Sequence, residues 1–162
     1  MRLRTSGLAG EGHVGVLPPR IARRQVEVEG VRAQVLEAGE GPVLLLLASM
    51  LVRARSYLPL IRRLSAHFRV LTVELPGSGR SAAVRKPWTL AALLRWAPRV
   101  RMPVLLAWGR RDHTMPLSCA ERLRERLPHA RVYVGAGSHD WLITDSREFT
   151  RAVLAFAGGP GV

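Results

Sequence analysis

Hydrophobic and polar residues begin to alternate at Gln25, and the alternation continues on both sides of Gly30. A period of two is typical of strands with one buried face, and the glycine between the two runs predicts a hairpin. Val43 to Leu47 is apolar at every position, which indicates a strand buried on both faces. Three further strands are predicted at Val70 to Leu75, Val104 to Trp108 and Arg131 to Val134.

Helical periodicity occupies the segments between these strands. From Ser56 to Phe68 the apolar residues recur three and four positions apart, which predicts a helix with one hydrophobic face. Ser146 is expected to cap the last helix, and Glu148 lies in its first turn, where the helix dipole favours an acid. The other helices are predicted at Trp88 to Trp96, Leu117 to Leu127 and, from that cap, Ser146 to Phe156. Alternating strands and helices predict an α/β fold with a mainly parallel sheet of about six strands, flanked by helices.

The chain divides into two parts by composition. Residues 1–24 show no hydrophobic periodicity and are rich in arginine and glycine, so we expect a basic, flexible N-terminal segment. A transit peptide has a similar composition. Residues 25–162 are expected to form one domain, because 162 residues can bury a sizeable core and a hydrophobic content of 48% excludes a disordered chain. No apolar run approaches the roughly 18 to 20 residues that a membrane span needs.

Charge and cysteine content narrow the function classes. The formal charge is +13, but Lys86 is the one lysine among 25 basic residues, and a GC-rich coding sequence produces such an arginine excess as readily as a partner does. No zinc-finger spacing, aromatic strand signature or basic heptad region accompanies the charge, so specific nucleic-acid binding is the weakest hypothesis. The single cysteine, Cys119, excludes an intrachain disulfide and a cysteine-rich zinc site. A cytoplasmic location is expected.

Four motifs, in this order along the chain, resemble the α/β-hydrolase family. Glu37 to Pro42 and the apolar strand after it look like that family's opening. Val70 to Ser81 is similar to its strand that ends in an acid followed by Leu-Pro-Gly, a variable residue and Gly-Arg-Ser. Trp108 to Asp112 resembles the strand and turn that carry the acid of the catalytic triad, and Gly135 to His139 resembles the turn that carries the histidine. The resemblance covers about residues 25–157.

The resemblance implies hydrolysis of an ester, amide or similar bond in a small-molecule substrate, with no cofactor and no metal. Asp112 would orient His139, and His139 would act as general base, because a serine hydroxyl is a poor nucleophile until a histidine accepts its proton. Two alternatives stay open. Asp112 could instead cap the turn before the following helix, and His113 competes with His139 for the same role.

The nucleophile of that family is missing from the sequence. Its Gly-x-Ser-x-Gly motif occurs nowhere in the chain, and residues 82–111 contain neither serine nor cysteine. The simplest account is the loss of an internal segment that held the central strand, its helix and the next strand. The chain is therefore expected to be a shortened member of the family with a catalytic-triad remnant.

The oxyanion region also departs from the family pattern. Ala48, Ser49 and Met50 stand where the family usually has His-Gly after the first buried strand. Ser49 is the first candidate for a substitute nucleophile and Ser78 the second, ahead of Ser81, Ser138 and Cys119. These departures favour an alternative function, a non-catalytic hydrolase-like protein that binds a partner.

The fold must close the gap that the missing segment leaves. A right-handed crossover through the helix at Trp88 to Trp96 would place the Val104 strand beside the Val43 strand, in one six-stranded sheet. The alternative is an exposed sheet edge, through which a second copy of the chain could pair to form a homodimer.

Overall fold

The computed structural model describes residues 20–28, 31–47, 52–75, 77, 81 and 90–159. In chain order the elements are β1 (Ala22–Val28), β2 (Val31–Ala38), β3 (Val43–Leu47), a 3₁₀ turn (Ala54–Tyr57), α1 (Leu58–Leu64), β4 (Arg69–Val73), α2 (Leu90–Trp96), a second 3₁₀ turn (Ala97–Arg99), β5 (Leu105–Gly109), α3 (Leu117–Arg126), β6 (Arg131–Gly135), α4 (Trp141–Thr144) and α5 (Ser146–Ala157). The α/β class and the prediction of about six strands are confirmed.

The described strands form two hydrogen-bonded sheets. The first has the order β1-β2-β4-β3, in which β3 and β4 are parallel and the other two pairs are antiparallel. The second is the parallel pair of β5 and β6. The single sheet expected from the crossover is not what these strands form, since β5 is hydrogen-bonded to β6 and not to β3. α2 lies with the second sheet, since its Leu90 and Leu94 belong to the same hydrophobic cluster as Leu123 and Leu127 of the α3 region.

The two sheets nevertheless share one hydrophobic core. Buried residues of α1, α4 and α5 form its centre, with Leu60, Trp141 and Phe149 among them. Partly buried residues of both sheets pack against the same centre, namely Leu44 and Leu46 from β3, Leu105 and Ala107 from β5, and Tyr133 from β6. Packing through the helices thus holds the sheets together where backbone pairing does not.

Two local predictions need correction. The helix expected from Ser56 to Phe68 is a 3₁₀ turn followed by α1, which ends at Leu64. The cap of α5 is Asp145, not Ser146, because the Asp145 side chain accepts a hydrogen bond from the Glu148 amide and Ser146 is already helical. An acidic side chain at this position stabilises a helix start as a serine hydroxyl would.

One face of β3 is exposed, although the all-apolar pattern predicts burial on both faces. Val43, Leu45 and Leu47 point away from the core and are half-exposed or more, whereas Leu44 and Leu46 pack into it. No described element covers the outer face. The alternative prediction, an exposed strand of buried composition, therefore holds for this part of the chain.

Truncation of the same residue type at two positions tests this division of the core. Leu60 is 0% exposed in α1 and Leu45 is 50% exposed in β3. We expect Leu60→Ala to lower the free energy of unfolding by about 2–5 kcal/mol, because it removes packed atoms and leaves a cavity. Leu45→Ala should lower it by about 1 kcal/mol at most. Urea denaturation followed by tryptophan fluorescence measures both, and equal losses would contradict this placement of the core.

A charge cluster on the first sheet makes the stability depend on pH. Glu37 accepts hydrogen bonds from Arg69 and Arg24, at 2.6 Å from each guanidinium. The Arg69 hydrogen bond, together with the charge of Arg24, lowers the pKa of the Glu37 carboxyl below its usual 4.5. On acidification, the Glu37 carboxyl of the unfolded chain therefore becomes protonated at a higher pH than that of the folded chain. The stability that the cluster contributes is lost as the pH falls from the unfolded-state pKa through the lower pKa of the folded chain.

We therefore expect acidification from about pH 6 to about pH 3 to lower the urea midpoint more in the wild type than in Glu37→Gln. Glu121→Gln is the matched control, because Glu121 is exposed on α3 and forms no ion pair with a described residue. This control should keep the wild-type pH dependence. The same dependence in Glu37→Gln would show that the cluster does not contribute to stability.

Candidate active site

Backbone hydrogen bonds join the turn after β5 to the turn after β6. The amides of Arg110 and Arg111 donate to the carbonyl oxygens of Gly135 at 2.8 Å and Gly137 at 2.9 Å. The two strands are parallel, with Gly109 in register with Gly135, so their carboxyl ends meet at one edge. Open α/β sheets place their ligand sites at this edge.

Glycine is required where these two turns approach each other. A Cβ atom at Gly109 would collide with the carbonyl oxygen of Ser138, and a Cβ atom at Gly137 would collide with the Cβ atom of Trp141. Both obstacles belong to or adjoin the backbone, so they cannot swing aside as the end of a long side chain can. The small residues of the Gly135 to Ser138 turn thus permit the contact that the rest of the site needs.

Asp112 and His139 are brought together by this contact. The Nδ1 atom of His139 lies 2.8 Å from Oδ2 of Asp112. The Asp112 side chain is 5% exposed and that of His139 is 32% exposed, so the carboxylate is buried and the imidazole reaches the surface. In the neutral imidazole the proton on Nδ1 donates to the carboxylate, which makes Nε2 the basic nitrogen. Asp112 therefore fixes both the orientation and the tautomer of the ring.

The second carboxylate oxygen of Asp112 stabilises the turn that directly follows Asp112 in the chain. Oδ1 accepts the amides of Thr114 at 3.0 Å and Met115 at 2.7 Å, and the indole of Trp108 donates to the Met115 carbonyl oxygen at 2.6 Å. The turn-capping interpretation of Asp112 and the pairing with His139 are thus both present, one on each carboxylate oxygen. His113, the competing histidine, is exposed, and Asp112 pairs with His139 instead.

The candidate nucleophiles fall into two groups. Ser49 and Ser78, with Ala48 and Met50 of the oxyanion region, lie outside the described residues. The hydroxyl of Ser81 donates to the Glu74 carbonyl oxygen and accepts the Gln34 amide, so it links β2 to the end of β4. The hydroxyl of Ser138 donates to Asp140, and Cys119 is partly buried in α3.

The hydrogen-bonded pair rests on an aromatic residue that the sequence patterns did not single out. Trp141 is buried beneath the turn that carries His139, stacks on Tyr133 and contacts Phe149. Its helix, α4, has only four residues, too few for a hydrophobic period to be visible. The only local sign of this role in the sequence is that Trp141 lies two positions after His139. The Tyr133 hydroxyl in turn donates to Glu148, which raises the pKa of that hydroxyl above 10.0.

The described residues offer neither a metal site nor a membrane span. No three of their histidine, cysteine, aspartate and glutamate side chains lie close enough to hold a metal ion. None of their helices has the length and apolarity to cross a bilayer.

Removal of each partner of the pair should have a different effect on stability. Asp112→Ala removes the acceptor of the Thr114 and Met115 amides, which are partly exposed, so we expect the loss of these two hydrogen bonds to destabilise the protein by about 1–3 kcal/mol. His139→Ala keeps both of those hydrogen bonds and should cost less. Asp112→Asn is the control, because its amide oxygen can still accept them. Urea denaturation measures the free energy of unfolding of each variant. A larger loss in His139→Ala than in Asp112→Ala would contradict the role of Asp112 in stabilising this turn.

Comparison with known proteins shows which fold the chain has. No protein-family model matches the chain. Over 61 residues it is 41% identical to RutD of a Caulobacter species, an inferred carbamate hydrolase, a match that covers 37% of this chain and 23% of that protein. Over 65 residues it is 32% identical to the (E)-2-((N-methylformamido)methylene)succinate hydrolase of Acinetobacter baylyi, which covers 40% of this chain and 25% of the relative. The chain thus spans about a quarter of the length of these curated relatives.

The structure is similar over a much larger part of the chain. The enol-lactonase from Burkholderia xenovorans aligns with a TM-score of 0.66 at 14% identity, over 84% of this chain and 100% of that one. At this identity the likeness establishes the architecture, and the architecture is the one that the sequence motifs predicted. The chain therefore has an α/β-hydrolase fold.

Proposed function

We propose that this chain hydrolyses an ester, amide or similar bond of a small molecule, with His139 as the general base and Asp112 as the residue that orients it. One observation carries the proposal, the 2.8 Å contact between Nδ1 of His139 and a carboxylate that is 5% exposed. A buried carboxylate in this position stabilises the imidazolium that forms when the histidine accepts a proton.

The similar proteins favour one group of substrates. The names of both curated relatives refer to compounds with a carbonyl group bonded to nitrogen, a carbamate and an N-methylformamido compound. Each match covers about a quarter of the relative, so it supports the bond class and not a particular substrate. We therefore place amides and carbamates first, and esters second.

The hydrolysis has two possible attacking groups. If Ser49 or Ser78 attacks, its hydroxyl proton passes to Nε2 of His139 while its oxygen bonds to the carbonyl carbon, and the histidine then gives that proton to the departing amine or alcohol. Water, deprotonated by the same nitrogen, then attacks the acyl group, which leaves as the acid while the serine oxygen takes the proton back from the histidine. If water attacks directly, Nε2 takes its proton, and the tetrahedral intermediate breaks down to the acid and a leaving group that receives that proton. General-base catalysis alone contributes about 10²–10⁴-fold, so turnover by the second route is slow.

A non-catalytic binding protein is the alternative function. The observation that favours it is the absence of Gly-x-Ser-x-Gly from the whole sequence. Loss of a triad nucleophile lowers turnover by on the order of 10⁶. The cytoplasmic location, the absence of a specific nucleic-acid partner and the pairing of two copies through the β3 edge stay predictions. The exposed outer face of β3 supports the last of these.

Turnover of short-chain p-nitrophenyl esters and p-nitroanilides tests the proposal. We expect activity above the buffer rate, reduced at least about 100-fold in His139→Ala, because the base is removed. His113→Ala is the matched control, a histidine next to Asp112 in sequence that is exposed, and it should retain wild-type activity.

Ser49→Ala and Ser78→Ala then separate the two routes. Loss of activity in either variant identifies the attacking hydroxyl, and full activity in both indicates water. Absence of turnover in a folded, monodisperse sample, or equal activity of wild type and His139→Ala, would refute the hydrolase and favour the binding protein.

A further inference from the structure

Three arginines and a buried glutamate line one cavity at the end of β4. The cavity has a volume of about 390 Å³, and its wall includes Arg23 of β1, Arg53 and Arg55 of the segment before α1, and Glu74. Neither Asp112 nor His139 lines it. Its size lies within the range of small-molecule sites, which is about 300–1,000 Å³. The cavity is thus a separate feature from the pair described above.

The floor of this cavity is built from buried, mutually bonded groups. Glu74 is 6% exposed, and its Oε1 accepts the amide of Ala54 at 2.9 Å. The Glu74 amide donates to the Gln34 carbonyl oxygen at 2.9 Å, and the Ser81 hydroxyl bridges the Gln34 amide and the Glu74 carbonyl oxygen. These bonds join β2, the end of β4 and the segment before α1. Because Ala54 is held, the backbone positions of its two arginine neighbours are held as well.

The charge on the wall is unbalanced. Among the described residues that line the cavity, three are arginines and one is a glutamate, so positive side chains exceed negative ones by two. Elsewhere in the first sheet, Arg24 and Arg69 are paired with Glu37. No ion pair with a described residue neutralises Arg23, Arg53 or Arg55. The positive charges of the three arginines repel one another, and an anion between them is attracted by all three.

We propose that this cavity binds a small organic acid with two carboxylate groups. Two carboxylates match the excess of arginine over glutamate among the described wall residues. The planar fork of a guanidinium matches a carboxylate with two parallel hydrogen bonds, which favours this ligand over a spherical anion. Leu36 and Ala54 supply apolar wall for the carbon chain between the two groups. The site does not depend on the proposed hydrolysis, since it shares no residue with the catalytic pair.

Binding of succinate, measured by calorimetry at constant ionic strength, tests this site in the whole chain. We expect saturable binding of one succinate per chain, weakened at least tenfold in the double variant Arg53→Gln with Arg55→Gln. The matched control is Arg122→Gln with Arg124→Gln, which removes the same charge from the exposed face of α3. It should bind succinate within about twofold of the wild type if the attraction is local to the cavity.

Two further ligands and one further variant complete the test. Succinamide has the same carbon chain without charge and should not bind. Arg23→Gln, on a different element, should weaken binding on its own, which keeps the test valid if the double variant fails to fold. His139→Ala should bind succinate normally, so that a failure of the proposed hydrolysis leaves this result unaffected.

Several outcomes would overturn the proposal. Equal weakening in the cavity variant and the α3 control would show attraction by the overall charge of +13. Binding of inorganic phosphate in place of succinate would assign the cavity to a different anion. Equal binding of succinamide, or no binding of succinate at millimolar concentration, would remove the dicarboxylate site altogether.

Discussion

The arrangement of the candidate active site depends on the contact between two turns, one after β5 and one after β6. Two amides of the first turn donate to two glycine carbonyl oxygens of the second, and the absence of side chains at Gly109 and Gly137 allows the approach. Trp141 fills the space beneath. Every part of this contact lies between Leu105 and Thr144, a continuous stretch of chain. The Asp112–His139 pair is therefore positioned by local contacts within this stretch.

The division into two sheets follows from the same distribution of contacts. β5 forms backbone hydrogen bonds with β6, and apolar residues of α3 pack against β5. The strands β1 to β4 form a separate ladder. The helices α1, α4 and α5 join the two through a common apolar centre. Apolar packing is non-directional, so it can unite the two halves without the precise register that a hydrogen-bonded strand pair needs. That difference explains how the two sheets pack against one common apolar centre.

Much of this architecture could be predicted from local patterns. The alternation around Gly30 identifies the hairpin, the run from Val43 to Leu47 identifies a strand, and the motifs at Asp112 and His139 name the pair that the structure brings within 2.8 Å. Periodicity shows which residues a strand or helix can bury, because it reports the orientation of successive side chains.

The same patterns cannot show what is available to cover a face. This is why the all-apolar β3 misleads, with Leu45 half-exposed where burial was expected. The bridging role of Ser81 and the cavity around Glu74 were missed for a related reason, since both depend on segments that meet only after the strands pair. The cap lies at Asp145 and not at Ser146 because both residue types cap helices and the two stand next to each other in the sequence.

The outer face and free edge of β3 determine how the protein behaves on heating. Among the described strands β3 pairs on one side only, with β4, and its other edge presents unpaired backbone groups beside half-exposed leucines. Once heat loosens the core, we expect such an edge to pair with other chains before the native contacts re-form. Thermal unfolding would then be irreversible, with an apparent transition temperature that depends on the scan rate and the protein concentration. The useful measure of stability for this chain would then be its half-life at a given temperature and not an equilibrium free energy of unfolding.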